Sequence, residues 1–184
     1  MPGSLLSRKA APMNTNIEVF LIACSNTLEM LYYRVEIPCV TESYNPDELV
    51  VRKLTDMGID SHSCSAISHS TSWRCQNGRI LLTYIVTLPS SILTSLPTTT
   101  LNTAEVICPE SAAAMKPHPA EIEDKHVLVH GLRHLSFLVF HQNDRQLATA
   151  MRVHGTIAFL NRLQPTVAGQ LLSQPPASEI SYQN

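Results

Sequence analysis

The sequence predicts an α+β domain: a small, mainly antiparallel sheet laid out β-β-α-β-β, followed by two C-terminal helices. Three observations predict it. Two apolar, β-rich stretches, 17–24 (IEVFLIAC) and 28–38 (LEMLYYRVEIP), flank a short Asn26-Thr27 turn. An Asn77-Gly78 pair, the strongest short hairpin signal, separates two further β-rich arms. Helical spacing governs residues 45–59 and the region after 120. Strands gathered early and helices gathered late argue for segregated layers.

Each element has a local cause. Residues 17–24 read as a buried strand. In 28–38, Leu31, Tyr33, Val35 and Ile37 alternate with Tyr32, Arg34 and Glu36, so one face is drier than the other, and Pro38 is expected to end the strand. The helix at 45–59 opens with Asn45 as N-cap and Pro46 at the first helical position. Asp47 and Glu48 complement the dipole of its first turn, and Gly58 closes it. Residues 64–75 and 79–89 form the second hairpin around Gln76-Asn77-Gly78. Residues 89–125 hold Pro89, Pro97, Pro109, Pro117 and Pro119 among many Ser and Thr. They read as a long connection with a short ordered piece near TAEVICPE. Helices are then expected over about 121–141 and 144–163, the second opened by Asp144 and stopped before Pro165.

Composition narrows the function. The chain of 184 residues fits one domain over 17–165, with a disordered leader at 1–16 and a disordered tail at 174–184. Met13 offers an alternative start to Met1. Apolar residues make up 44%, enough for a core, whereas charged residues make up only 15%. With a net charge of −2 and no basic block, neither nucleic acid nor a polybasic membrane surface is an expected partner. No run approaches the roughly 20 apolar residues of a membrane span, and the first residues lack a signal-peptide core. Cys24, Cys39, Cys64, Cys75 and Cys108 are odd in number and form no CxxC, which fits reduced thiols in a cytoplasmic protein.

Residues 68–74, SHSTSWR, concentrate polar chemistry. On a regular strand Ile67, His69, Thr71, Trp73 and Cys75 share one face, and Ser68, Ser70, Ser72 and Arg74 the other. His69 then points away from Ser68 and Ser70, and no GxSxG elbow occurs, so a serine nucleophile with a histidine base is disfavoured. Two readings stay open. Trp73 is core while His69 and Thr71 bond locally, or the face contacts a ligand, with Trp73 as platform and His69 or Arg74 as polar anchor. His62, Cys64, His69 and Cys75 invite a zinc reading, but strand parity splits them into two pairs on opposite faces, so no metal site is expected.

The first C-terminal helix carries His126, His130, His134 and His141 at directions of roughly 0°, 40°, 80° and 60°. Leu128, Leu132, Leu135 and Val139 cluster on the opposite side. HxxxH occurs twice, yet no HExxH supplies a metalloprotease base. The face is open to three readings: a polar surface touching solvent, the connection or a second subunit; a pH-responsive interface; or a metal site. Arg133 and His134 are the candidates for holding an anion, since Arg offers a planar bidentate fork.

Two resemblances add to this. HSTSWR (69–74), GRILLTY (78–84) and LRHLSFL (132–138) resemble a group of uncharacterised bacterial proteins over residues 17–165, a resemblance that implies no activity. NPDELVVRKLTDMGI, set between two hairpins, is similar to the helix region of Nudix hydrolases, in which glutamates bind Mg²⁺ for diphosphate hydrolysis. Arg52 and Leu54 fit that pattern, but Lys53 replaces a glutamate, Asp56 and Met57 fill the next acidic positions, and Gly58 comes one residue early. Hard divalent cations want several carboxylate oxygens, so this resemblance implies a Nudix-like architecture without the catalytic residues.

The combined expectation is a non-catalytic ligand-binding or regulatory module, homo-oligomeric and without a cofactor. A small anionic ligand would sit between the 64–88 hairpin and the 121–141 helix, contacting His69, Thr71, Trp73, Arg74, His130, Arg133 and His134. The alternatives are a phosphohydrolase of Nudix-like fold with a non-standard site, and a protein-interaction domain using the histidine-rich helix face.

Overall fold

The computed structural model describes residues 15–25, 27, 29–40, 45–60, 69–101 and 122–163. Along the chain run β1 (Thr15–Cys24), β2 (Met30–Val40), α1 (Pro46–Asp56), β3 (His69–Gln76), β4 (Arg79–Thr87), α2 (Ser90–Leu93), β5 (Thr99–Leu101), α3 (Asp124–Phe140), α4 (Arg145–Val153) and α5 (Thr156–Leu160). The strands form one five-stranded sheet in the order β3-β4-β1-β2-β5. It is mixed but mostly antiparallel: β1 runs parallel to β4, and the other three ladders are antiparallel.

The central place of β1 follows from its sequence. A strand buried on both faces reads as a continuous apolar run rather than an alternating one. Ile17, Val19, Leu21 and Ala23 pack with Val50 and Leu54 of α1 and Leu93 of α2. Phe20 and Ile22 point the other way, into a second core with Leu128, Leu132 and Leu135 of α3, Met151 of α4 and Phe159 of α5. The sheet is thus a middle layer, with α1 and α2 on one face and α3–α5 on the other.

Local chemistry fixes the ends of α1. The Asn45 side chain accepts from the Asp47 backbone N–H at 3.1 Å, and Gly58 takes the left-handed conformation, φ +75°, just past the helix. The Tyr84 hydroxyl of β4 donates to Asp47 Oδ1 at 2.8 Å, which ties the start of α1 to the sheet. Burial, with this bond and the carboxylate charge adding to it, pushes the Tyr84 phenol up from its ordinary range.

The fold departs from expectation in four places. β2 does not stop at Pro38 but runs to Val40. The ladder slips there, pairing Ile17 with Ile37 but Thr15 with Val40, and such an irregularity tolerates a residue without an N–H. The 89–125 connection contains α2 and the three-residue β5, which pairs with the outer edge of β2; the piece expected near TAEVICPE lies outside the described residues. The single helix expected over 144–163 is two, α4 and α5, divided at Gly155 with φ +70°, so three helices rather than two close the chain. Finally, β3 is irregular between Ser70 and Ser72. The expected leader at 1–16, apart from Thr15 and Asn16 of β1, and the expected tail at 174–184 lie outside the described residues. Among the described residues no helix is long and apolar enough to cross a membrane.

Candidate functional site

Inside the apolar run of β1 sits one charged residue, Glu18, with no solvent exposure. A carboxylate in such a place must be paired and hydrogen-bonded. The register supplies the partners: Glu18 lies opposite Thr83 of β4 and Glu36 of β2, and Arg34 and Arg74 approach it from β2 and β3. Thr83 Oγ1 donates to Glu18 Oε1 at 2.5 Å. Arg74 grips the carboxylate with both terminal nitrogens, Nη1 to Oε1 and Nη2 to Oε2, the latter at 2.7 Å. Arg34 Nε donates to Oε2 at 3.2 Å. The bidentate geometry of Arg74 is the strong form of this interaction.

The network extends outward. Arg34 Nη2 reaches Glu36 Oε2 at 3.3 Å, Asn16 Nδ2 donates to Glu36 Oε1 at 2.6 Å, and Asp124, the first residue of α3, lies 3.4 Å from Arg34 Nε. One sheet face is therefore divided along its length. Phe20, Ile22 and Ile85 make an apolar half beneath α3–α5. Asn16, Glu18, Arg34, Glu36, Arg74 and Thr83 make a polar half toward the turn between β3 and β4.

A solvent-open hollow of about 420 Å³ lies over that polar half, lined by Arg34, Glu36, Gln76, Asn77, Arg79 and Leu81. Its volume is in the range of small-molecule sites. Arg34 is fixed in its wall by three carboxylates, whereas Arg79 is exposed and makes no ion pair among the described residues. Gln76 and Asn77 add amide groups from the hairpin end. The arrangement offers one available positive charge, neutral donors and acceptors, and one held carboxylate. That combination suits a ligand with an anionic group and several hydroxyls.

Of the residues expected to contact a ligand, Arg74 lies at the heart of this network. Trp73 does not share its face: it stands opposite Leu82, whose side belongs to the α1–α2 core, and it is 68% exposed. The backbone of His69 pairs with Ile85. The irregularity between Ser70 and Ser72 breaks the alternation that would place His69 and Trp73 on one face. Thr71 lies within that irregularity, and the side chains of His69 and Thr71 are outside the described set.

The helix α3 does lie against β3 and β4, as a pocket between them requires. Its histidine side is less open than its composition suggests, because the sheet, α4 and α5 all pack on the helix. Arg133 is buried, His130 and His134 are half-buried, and all three have interaction partners. His126 accepts from the Glu123 backbone N–H at 3.1 Å as part of a capping box, and His141 stacks on Phe137 with ring centroids 5.6 Å apart. Among the described residues no group of three His, Cys, Asp or Glu side chains is disposed to hold a metal ion; His62 and Cys64 lie outside them.

Sequence reasoning missed Glu18, Arg34, Glu36 and Arg79. The usable signal was Glu18 itself, a carboxylate with Ile17 and Val19 beside it in a run otherwise fit for the core. No protein-family model, curated protein or solved structure matches the chain. Function is read from the site itself.

Proposed function

We propose that this protein is a non-catalytic binding module for a small, hydroxyl-bearing anion such as a sugar phosphate or nucleotide, held over the polar half of the sheet. The observation that carries the reading is the 420 Å³ hollow whose walls present Arg34, Arg79, Gln76 and Asn77 above a buried, fully bonded carboxylate. Glu18 orders Arg74 and Arg34 before any ligand arrives, so less side-chain entropy is lost on binding. Arg79 takes the anionic group, and Glu36, paired with Arg34 and hydrogen-bonded by Asn16, accepts from ligand hydroxyls. The site expected between the hairpin and α3 is thereby moved toward the Asn77-Gly78 turn, with Arg74 the residue common to both.

The Nudix-like element of the reading is architectural: a helix set between two hairpins and packed on a mixed sheet. It leaves out that family's metal chemistry, since α1 offers Asp56 where a glutamate cluster is needed and Asp47 is engaged by Tyr84.

The experiment is thermal unfolding with added nucleotides and sugar phosphates, for wild type and Arg79→Ala. A ligand that binds only the folded state raises the midpoint, by an amount corresponding to about 2.7 kcal/mol at a hundredfold excess over Kd. The reading expects such a rise in wild type and its loss in Arg79→Ala. Release of inorganic phosphate from the added ligand would replace it with a phosphohydrolase. No rise with any anionic ligand would remove the pocket.

A further inference from the structure

We propose that β3 is a pairing edge whose occupant is a second copy of this chain, laid antiparallel about a two-fold axis through Trp73. β3 ends the sheet, runs for eight residues, and among the described residues bonds through its backbone to β4 alone. The opposite end of the sheet is closed by the three-residue β5. Proteins blunt exposed edges with proline, lysine or short strands, and HSTSWRCQ contains neither residue. Its one blunting device is the irregularity between Ser70 and Ser72, which leaves the half nearer the turn free to pair.

The turn decides which groups are available. Asn77 and Gly78 both take positive φ, 52° and 73°, the mark of a primed two-residue turn that makes Gln76 and Arg79 the closing hydrogen-bonded pair. Antiparallel alternation then directs the main-chain groups of Gln76 and Arg74 toward β4, and those of Cys75 and Trp73 outward. At the centre of this open ladder stands Trp73, the largest side chain of the strand, 68% exposed.

Charge selects the second copy and its register. Arg74 is the one Lys, Arg, Asp or Glu in β3, and its guanidinium is turned inward onto Glu18, so the edge is close to neutral and self-compatible. A two-fold axis through Arg74 would set two guanidinium groups opposite each other. An axis through Cys75 would run the Asn77-Gly78 turn into the ladder. An axis through Trp73 stacks the two indoles and sets Arg74 against Ser72 of the partner subunit. The area fixes the strength. Two copies of Trp73 at that exposure contribute roughly 200–340 Å², and a short ladder keeps the total under about 1,200 Å², the class of transient, micromolar association. Such a dimer is isologous and closes on itself. Because Gln76 and Asn77 line the hollow, it also brings the partner beside that wall.

The chain has a single tryptophan, so its emission reports on the surroundings of Trp73. Sedimentation velocity and tryptophan emission are followed together from about 1 µM to about 1 mM. The expected result is a dimer whose population rises in step with a blue shift of the emission. Trp73→Ser removes the indole contact. It weakens association at least about tenfold while the monomer keeps its far-ultraviolet circular dichroism. A monomer throughout with unshifted emission overturns the proposal, as does a dimer of unchanged strength in Trp73→Ser.

Discussion

Glu18 holds two arginines from two different strands, and its own position on the central strand leaves it no route to water. Taking a carboxylate out of water is expensive, and the attraction to Arg74 and Arg34 offsets that cost only because both carboxylate oxygens are hydrogen-bonded. Breaking the set one-sidedly is therefore the informative change. Arg74→Met leaves the buried charge with Arg34 and Thr83, so the loss falls at the low end for a buried pair, about 3 kcal/mol. In a chain of this size the thermal midpoint falls by roughly 6–12 °C. Adding Glu18→Leu to Arg74→Met removes the stranded charge and recovers part of that loss. Thermal unfolding of the four proteins of this cycle measures the coupling, and additive effects would show that the two side chains do not act as a pair.

At the scale of elements, the breaks between segments do as much as the segments. α4 and α5 would be one helix by periodicity, since Leu147, Ala150, Met151, Ile157 and Leu160 keep helical spacing across the join. Gly155 at φ +70° turns the chain there, with nothing within 4 Å of where a Cβ would sit. Gly155→Ala therefore carries backbone strain and no clash, about 1 kcal/mol, seen as a drop of roughly 2–4 °C in midpoint; an unchanged midpoint would show that the join relaxes freely. This join also marks what the sequence conceals. The Asn45-Pro46 start of α1 and the Asn77-Gly78 turn are legible because their chemistry is local. The parallel pairing of β1 with β4 is not, because nothing in either strand names its neighbour. α2 and β5 are too short to show a period. The irregularity at Ser70–Ser72 has no marker, and by shifting parity it moves Trp73 off the face assigned to it. Arg74 was legible as a polar anchor, but Glu18 was absorbed into an apolar run and its demand for partners went unused.

For the whole molecule, the sheet is a shared floor with two unequal faces. One is mostly apolar, and α1 and α2 cover its central strands while Trp73 at its edge stays exposed. The other is apolar under α3–α5 and polar toward the β3–β4 turn, and the change along a single face is what creates a hollow with charged walls. The hollow at that boundary has the strands of the sheet behind it, and Asp124 of α3 pairs with Arg34 in its wall. The most direct test is to locate the ligand by amide resonances. In a titration of the ¹⁵N-labelled protein with a sugar phosphate, shifts should concentrate at Arg34, Glu36 and Gln76–Leu81. Shifts confined to His130–His134, or none, would contradict a site over the polar half of the sheet.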